Sequence, residues 1–246
     1  MKKNKGSDIK MKGIDISSFE SNLDFSKSDA AICIIKATEG LTYTNPLLNE
    51  QYRQAKAHNM KVGYYHYLRA NDPVGEAKHF LNSISGLSND CKLIIDVEQR
   101  SEACGISART RAFADYLLSQ GKEICLYTDL SFYHDEITSN CKDIPLWVAA
   151  YQDARPDIKS IGWQYSENGN IGGIAVDLNI FDDGILLKGV VNVSTGNVAI
   201  QQVQETCNIL KVTGKNGVPL LEDGIEGIRT IEATARLKSI LNNILK

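Results

Sequence analysis

Two carboxylates stand one residue apart in LIIDVEQR, residues 93–100: Asp96 and Glu98, with Val97 between them and Leu93, Ile94 and Ile95 before them. The apolar run reads as a strand, and residues i and i+2 of a strand point the same way. Asp96 and Glu98 therefore share one side of a strand end. Crowded carboxylates raise each other's pKa, so one holds a proton while its neighbour is ionised. Glycoside hydrolysis has that requirement: one carboxylic acid protonates the leaving oxygen, and a second group stabilises the cationic sugar carbon. An Asp-x-Glu at a strand end also occurs as a solvated edge or a helix cap, and the pair by itself leaves the choice open. Two more acids end strand-like runs, Asp15 in GIDIS and Asp177 in AVDLN. Tyr64, Tyr65, Tyr67, Tyr127, Trp147, Tyr151 and Trp163 lie near other strand ends, where aromatic rings suit a sugar. They fit equally well as half-buried strand residues.

These groups act together only if a fold brings them to one mouth. Strand-like runs lie at 13–17, 31–37, 61–68, 91–97 and 123–128, with shorter ones at 145–148, 162–166 and 173–177. Helix-like segments lie between the early runs. One covers 46–59, opened by Asn45 and Pro46 as a cap and an N1 proline. A second covers 74–85, after Asp72-Pro73. A third, 106–120, starts near Ser107 and ends at Gly121, a helix-stopping glycine. Apolar strands alternating with helices imply a parallel sheet covered on both faces. The fold class is therefore α/β, and eight strands between residues 13 and 177 point to a compact TIM-like (β/α)8 barrel. The connections after residue 128 are too short for full helices, which predicts an irregular barrel with degenerate helices in its second half. Barrel active sites sit at the C-terminal strand ends. Asp15, Asp96, Glu98 and Asp177 would then ring one pocket, with Asp15 and Asp177 brought together where the first and last strands close the barrel.

Composition limits the alternatives. The 246 residues fit one large domain, or one of about 190 residues with an appendage. Hydrophobic content of 43% and charged content of 23% predict a packed globule. Net charge is −3, from 27 basic and 30 acidic residues, which disfavours nucleic acid or a membrane surface as partner. No run approaches the roughly 18 apolar residues of a membrane helix. The start, MKKNKGSDIKMKGID, is basic but lacks the apolar stretch of a secretory signal, so cytoplasmic synthesis is expected. The six cysteines form neither CxxC pairs nor zinc-type clusters. Cys33 and Cys125 lie in apolar runs as small hydrophobes, and all six are expected to be reduced and structural.

Seven segments occur in a telling order: KGIDISSFE, CIIKATEG, VGYYHYLRA, LIIDVE, PLWVAAY, GWQYSENG and VDLN. In this the chain resembles glycoside hydrolase family 25, the Chalaropsis-type lysozymes, which include phage endolysins and bacterial autolysins. The resemblance covers about residues 12–183. It implies a catalytic barrel over 12–186, preceded by an extension, 1–11. It implies that Glu98 is the general acid/base and that Asp96 acts on the substrate's N-acetyl group or on the developing cation. It makes Asp15 and Asp177 site-shaping aspartates. Tyr65 matches the tyrosine of the family's YHF motif, with Tyr67 in place of the phenylalanine. Lys36, Glu39, Trp147 and Gln164 match positions that line or support the cleft, and Tyr127 and Tyr151 complete the expected substrate contacts. The implied reaction is cleavage of the β-1,4 bond between N-acetylmuramic acid and N-acetylglucosamine in bacterial peptidoglycan, with retention. It needs no metal and no cofactor. The resemblance does not say whether Asp96 attacks carbon or orients the acetamide.

The expected setting is a phage or prophage endolysin, made in the host cytoplasm and acting on the wall after release. An autolytic or spore-related muramidase is the alternative. A chitinase-like hydrolase would show a longer DxxDxDxE run, absent from residues 88–98. A wall-binding protein without catalysis is disfavoured by retention of all four acids.

After the last strand the sequence turns small and polar (LKGVVNVSTGNVA, 187–199), which reads as a linker. Residues 200–246 read as a small helical module. Ile231, Ala235, Leu237, Ile240, Leu241 and Ile244 recur at helical spacing. IQQVQETCNIL followed by EDGIEGIRTIEATARL resembles half of a three-helix peptidoglycan-binding module, with Ile228-Arg229-Thr230 keeping the usual Thr but losing the proline. Wall binding is expected of this tail. A dimerisation helix, making a homodimer through the module, and a passive cap are the alternatives.

Overall fold

The computed structural model describes residues 10–102, 104–188, 190, 198–215, 217, 219–220 and 228–244. Eight strands hydrogen-bond in a closed ring. They are β1 (Met11–Ile16), β2 (Ile32–Glu39), β4 (Lys61–Tyr67), β5 (Leu93–Asp96), β6 (Ile124–Asp129), β7 (Leu146–Ala149), β8 (Gly162–Ile171) and β9 (Ile174–Phe181). A two-residue β3 (Tyr43–Thr44) folds back on the end of β2. The ring closes because β1 pairs with both β2 and β9. Met11, expected in the N-terminal extension, already pairs with Phe181.

The sheet is not wholly parallel, as the alternation of elements had implied. Strand β9 runs antiparallel to both neighbours. A parallel return needs a crossover of a dozen or more residues. Only Gly172 and Gly173 separate β8 from β9, and both have positive φ, +61° and +94°. Two left-handed residues make a tight hairpin. Asp177 consequently sits in mid-strand, not at a C-terminal strand end.

Helices α1 (Leu48–Ala57), α2 (Pro73–Ser83) and α3 (Ile106–Ser119) cover the first half. The Asp72 side chain caps α2 through the Val74 and Gly75 N–H groups, and Gly121 takes a left-handed φ of +70° just past α3. Helix α1 begins two residues later than expected. The Asn45 side chain accepts from Leu47 N–H, donates to the Lys36 carbonyl and to Gln51, and so ties this turn to β2. In the second half α4 (Leu130–Asp135) has six residues, and residues 150–161 form no helix. The degenerate half is as the short connections required.

Alternation along the strands makes two apolar layers. Ile32, Ile34, Ile94, Cys125, Trp147 and Phe181 pack inside the barrel. Ile14, Ile35, Tyr64, Ile95, Leu126 and Val148 pack in the layer shared with the helices. Gly13 and Gly162 make room for the Phe181 ring: a Cβ at either would lie 2.4 or 2.7 Å from it. The same period of two removes Tyr64 and Trp163 from the mouth. Each follows or precedes an inward residue, and each donates instead to a carbonyl, Ser88 and Ala150 respectively.

The chain divides into two compact units, Met1–Val190 and Val191–Lys246. Of the stretch read as a linker, 189 and 191–197 lie outside the described residues. The second unit holds α5 (Val198–Ile209) and α6 (Ile228–Ile244). Its core is Cys207, Val212, Leu220 and Ala233, with Leu237 partly buried. Of the apolar residues that recur at helical spacing on α6, Leu237 packs on that core. Thr230, Ala233 and Leu237 face inward, at i, i+3 and i+7, while Ile231, Ile240 and Leu241 are exposed.

Candidate active site

Strands β1, β5 and β9 deliver four acids to one place. Asp15 and Asp177 oppose each other directly in the antiparallel register. Asp96 ends β5 and Glu98 follows two residues on. An inner cavity of about 320 Å3 is lined by Asp15, Tyr65, Ile94, Asp96, Glu98, Tyr127, Trp147 and Asp177. An outer depression of about 640 Å3 shares the four acids and Tyr65, and adds Ile16, Ser17, Phe19, Glu20, Lys36 and Tyr67.

Gln164 is buried behind this surface, and Tyr151, itself exposed, lines neither depression but a neighbouring one with Trp163 and Tyr165. Tyr127 and Tyr151 both donate to Gln164 Oε1, each at 2.8 Å. Burial pushes both phenols up, so they remain donors. That leaves the Gln164 amide N–H group to donate to Asp15 at 3.0 Å and to Asp177 at 3.5 Å. Trp147 Nε1, which can only donate, bonds Asn179 Oδ1 at 3.0 Å, so Asn179 Nδ2 donates to Asp15 at 2.6 Å. Glu39 lines neither depression. It binds Lys36 Nζ at 2.7 Å and Arg69 at 3.2 Å, and thereby fixes the lysine, which also lies over the Tyr67 ring.

Sequence reasoning missed several of these groups. Asn179 was legible in principle, since it lies two residues beyond Asp177 on one face of β9. Asp129 likewise follows Tyr127 by two, and the β5–β6 register, with Asp96 opposite Tyr127, sets it beside Glu98. Phe19 and Glu20 sit in a loop, where periodicity carries no information.

The acids hold protons more tightly than ordinary carboxylates. Burial, then the Asp177 charge, pushes Asp15 well up, against the two amide donors. Asp177 itself is pushed up to about 6, chiefly by burial. Burial and then Glu98 push Asp96 well up, and Lys36 opposes them. Asp96 Oδ1 is buried with no hydrogen-bond partner among the described residues. Burial and Asp129 raise Glu98, with Lys36 again opposing. All four carboxyls are thus shifted in the direction that favours the protonated form, the condition under which one of them can serve as an acid.

Gln164→Leu tests the supporting network. It leaves the buried Tyr127 phenol unpaired and takes a donor from the acids, and is expected to destabilise the fold by about 1–3 kcal/mol. Losing that donor disfavours the carboxylates' charged forms, so the acid limb of the pH–rate profile should move upward. Urea unfolding at pH 7 and a pH profile check this; stability within about 0.5 kcal/mol of wild type would contradict it.

The sequence profile of glycosyl hydrolases family 25 matches residues 14–174, which include Asp15, Asp96 and Glu98. The chain belongs to this family. This family 25 glycoside hydrolase is 44% identical over 243 residues to the autolytic lysozyme of Clostridium acetobutylicum, a match covering 94% of this chain and 74% of that protein. It is 31% identical to the N,O-diacetylmuramidase of Chalaropsis sp., over 63% of this chain and 84% of the relative. The crystal structure of the CTP1L endolysin superposes with a TM-score of 0.64 at 28% identity, covering 71% of this chain and 67% of that one. The bacterial lysozyme of Streptomyces coelicolor shares the fold, with a TM-score of 0.62 at 24% identity over 70% of this chain and 91% of that one.

Proposed function

We propose that this chain is a lysozyme of the N-acetylmuramidase type, hydrolysing the β-1,4 bond between N-acetylmuramic acid and N-acetylglucosamine in bacterial peptidoglycan with retention. The observation that carries this reading is the convergence of Asp15, Asp96, Glu98 and Asp177 on one cavity, in a chain related to a lysozyme and a muramidase. Glu98 is the proton donor to the leaving oxygen. Its raised pKa keeps it protonated nearer neutrality, as a general acid requires. Burial and the Glu98 charge raise Asp96 as well, so the two carboxyls compete for a proton in the free site. Substrate decides that competition: an acetamide N–H, or positive charge growing at the sugar carbon, supplies the partner that Asp96 Oδ1 lacks. Asp96 then ionises and the proton belongs to Glu98. Asp96 either bonds to the sugar carbon or orients the acetamide that does so; a close carboxyl pair serves both routes. Glu98, now ionised, takes the proton from the incoming water. Asp15 and Asp177 hold position and charge, while Lys36, Tyr65, Tyr127, Trp147 and Tyr151 shape the cleft.

The test is release of reducing ends from purified peptidoglycan compared with chitin. Cleavage of peptidoglycan supports the reading, and cleavage of chitin alone rejects it. We read the biological role as wall lysis by a phage or prophage endolysin, acting after release from the cytoplasm. A bacterial autolysin is the second reading, favoured by the 44% identity to an autolytic lysozyme.

The second unit is the proposed wall-binding module. The match to that autolytic lysozyme covers 94% of the chain, more than its first 190 residues, and so runs into this unit. Exposed Ile231, Ile240 and Leu241 also favour pairing of two copies through it. A protein ending at Val190 is expected to cut soluble glycan fragments at the wild-type rate. It should bind intact walls more weakly, because tethering raises the effective substrate concentration. Pull-down on sacculi and sedimentation of both forms check this. Unchanged wall binding would reject the targeting role.

A further inference from the structure

Phe19 is the most exposed large apolar side chain among the described residues, at 89%. A lone exposed ring is ordinary on a protein surface. Two observations set this one apart. The ring lines the outer depression together with Lys36, Tyr67, Asp96 and Glu98. The turn that carries it is also held from several sides. Glu20 accepts the Ser17 N–H at 2.6 Å and the Ser17 hydroxyl at 3.1 Å, and the Phe19 N–H donates to Ser17 Oγ at 3.2 Å. Gln51 of α1 donates to the Ser17 carbonyl at 2.6 Å, and Ser18 bonds Tyr43 of β3 at 2.9 Å. The ring is thus presented by a fixed backbone at the rim of a polar, acidic depression.

A pyranose has a hydrogen-bonding edge and an apolar face formed by its ring C–H groups. The acids and Lys36 serve the edge, and the aromatic face of Phe19 is placed for the other. We infer that Phe19 is the stacking platform of an outer sugar subsite, taking the apolar face of a glycan ring next to the one being cleaved. This rests on the muramidase reading. It makes Phe19 a binding and specificity residue that takes no part in proton transfer. With the backbone of the turn already held, only the Phe19 side chain has to be ordered when the sugar lands. A protein partner would need a far larger patch, since stable interfaces bury about 1,200 Å2 or more.

The test uses the full chain on soluble, uncrosslinked peptidoglycan glycan strands. Phe19→Ala is expected to raise KM about five- to tenfold with kcat within about twofold of wild type. Phe19→Trp should restore the wild-type KM. The thermal midpoint should not move in either variant, because the ring buries almost nothing. A wild-type KM for Phe19→Ala overturns the inference alone, with the muramidase reading intact. So does Phe19→Trp behaving like Phe19→Ala, or Phe19→Ala changing the oligomeric state. A wild-type protein that cuts no glycan overturns both.

Discussion

Glu98→Gln is expected to lose about 10²–10⁴-fold in kcat, the range that general acid catalysis contributes. The amide keeps the shape of the side chain and cannot give up a proton. Glu98 is half-buried at the cavity wall, and its burial and the neighbouring Asp129 charge hold its carboxyl above the usual range. Replacing it removes a group whose ionisation was already disfavoured, so the thermal midpoint should stay level or rise slightly. Turbidity decrease of wall suspensions, with single-turnover rates on soluble strands, measures the loss. Activity within about threefold of wild type would move the acid role to another residue.

Asp96→Asn is expected to reduce kcat by about 10²–10³-fold, since removing one preorganised group aimed at transition-state charge costs that much. The same change should stabilise the protein at neutral pH. Asp96 is buried and its folded-state pKa is raised, so the folded state binds its proton more tightly than the unfolded chain does. By linkage, the stability from that proton is full below the ordinary carboxylate pKa and is lost as pH rises toward the raised one. At pH 7 the wild type has lost some or all of it, and the neutral asparagine has not. A gain in thermal midpoint of roughly 2–4 °C for each kcal/mol relieved should appear at pH 7 and vanish near pH 4. A midpoint lower than wild type at pH 7 would mean that the ionised carboxylate has a favourable partner in the folded site. Wild-type turnover would remove Asp96 from the chemistry.

What the sequence revealed follows from how each feature is encoded. The barrel strands were legible because they are buried on both faces: AICIIKA and LIIDVE are nearly continuous apolar runs, which few other elements require. The acid pair was legible because side-chain direction has period two, which places Asp96 and Glu98 on one side whatever the rest of the fold does. The direction of β9 was missed although Gly172-Gly173 spelled a hairpin, because alternation elsewhere argued for parallel strands. The support of Asp15 by Gln164 and Asn179 was not legible: these partners lie 149 and 164 residues away, and only barrel closure brings them together. The inward face of α6 was not legible for a related reason. Helical spacing says that apolar residues share a face, and small residues such as Thr230 and Ala233 can outcompete them where helices approach closely.

The most direct measurement of the central claim is the identity of the sugar left at the new reducing end. Purified peptidoglycan digested with the full chain, reduced with borohydride and analysed by mass spectrometry, reports it. Cleavage by the four-acid site as described should leave muramic acid reduced at every new end, with no new peptide amine. Reduced glucosamine at those ends, or released stem peptides with intact glycan, would contradict the account.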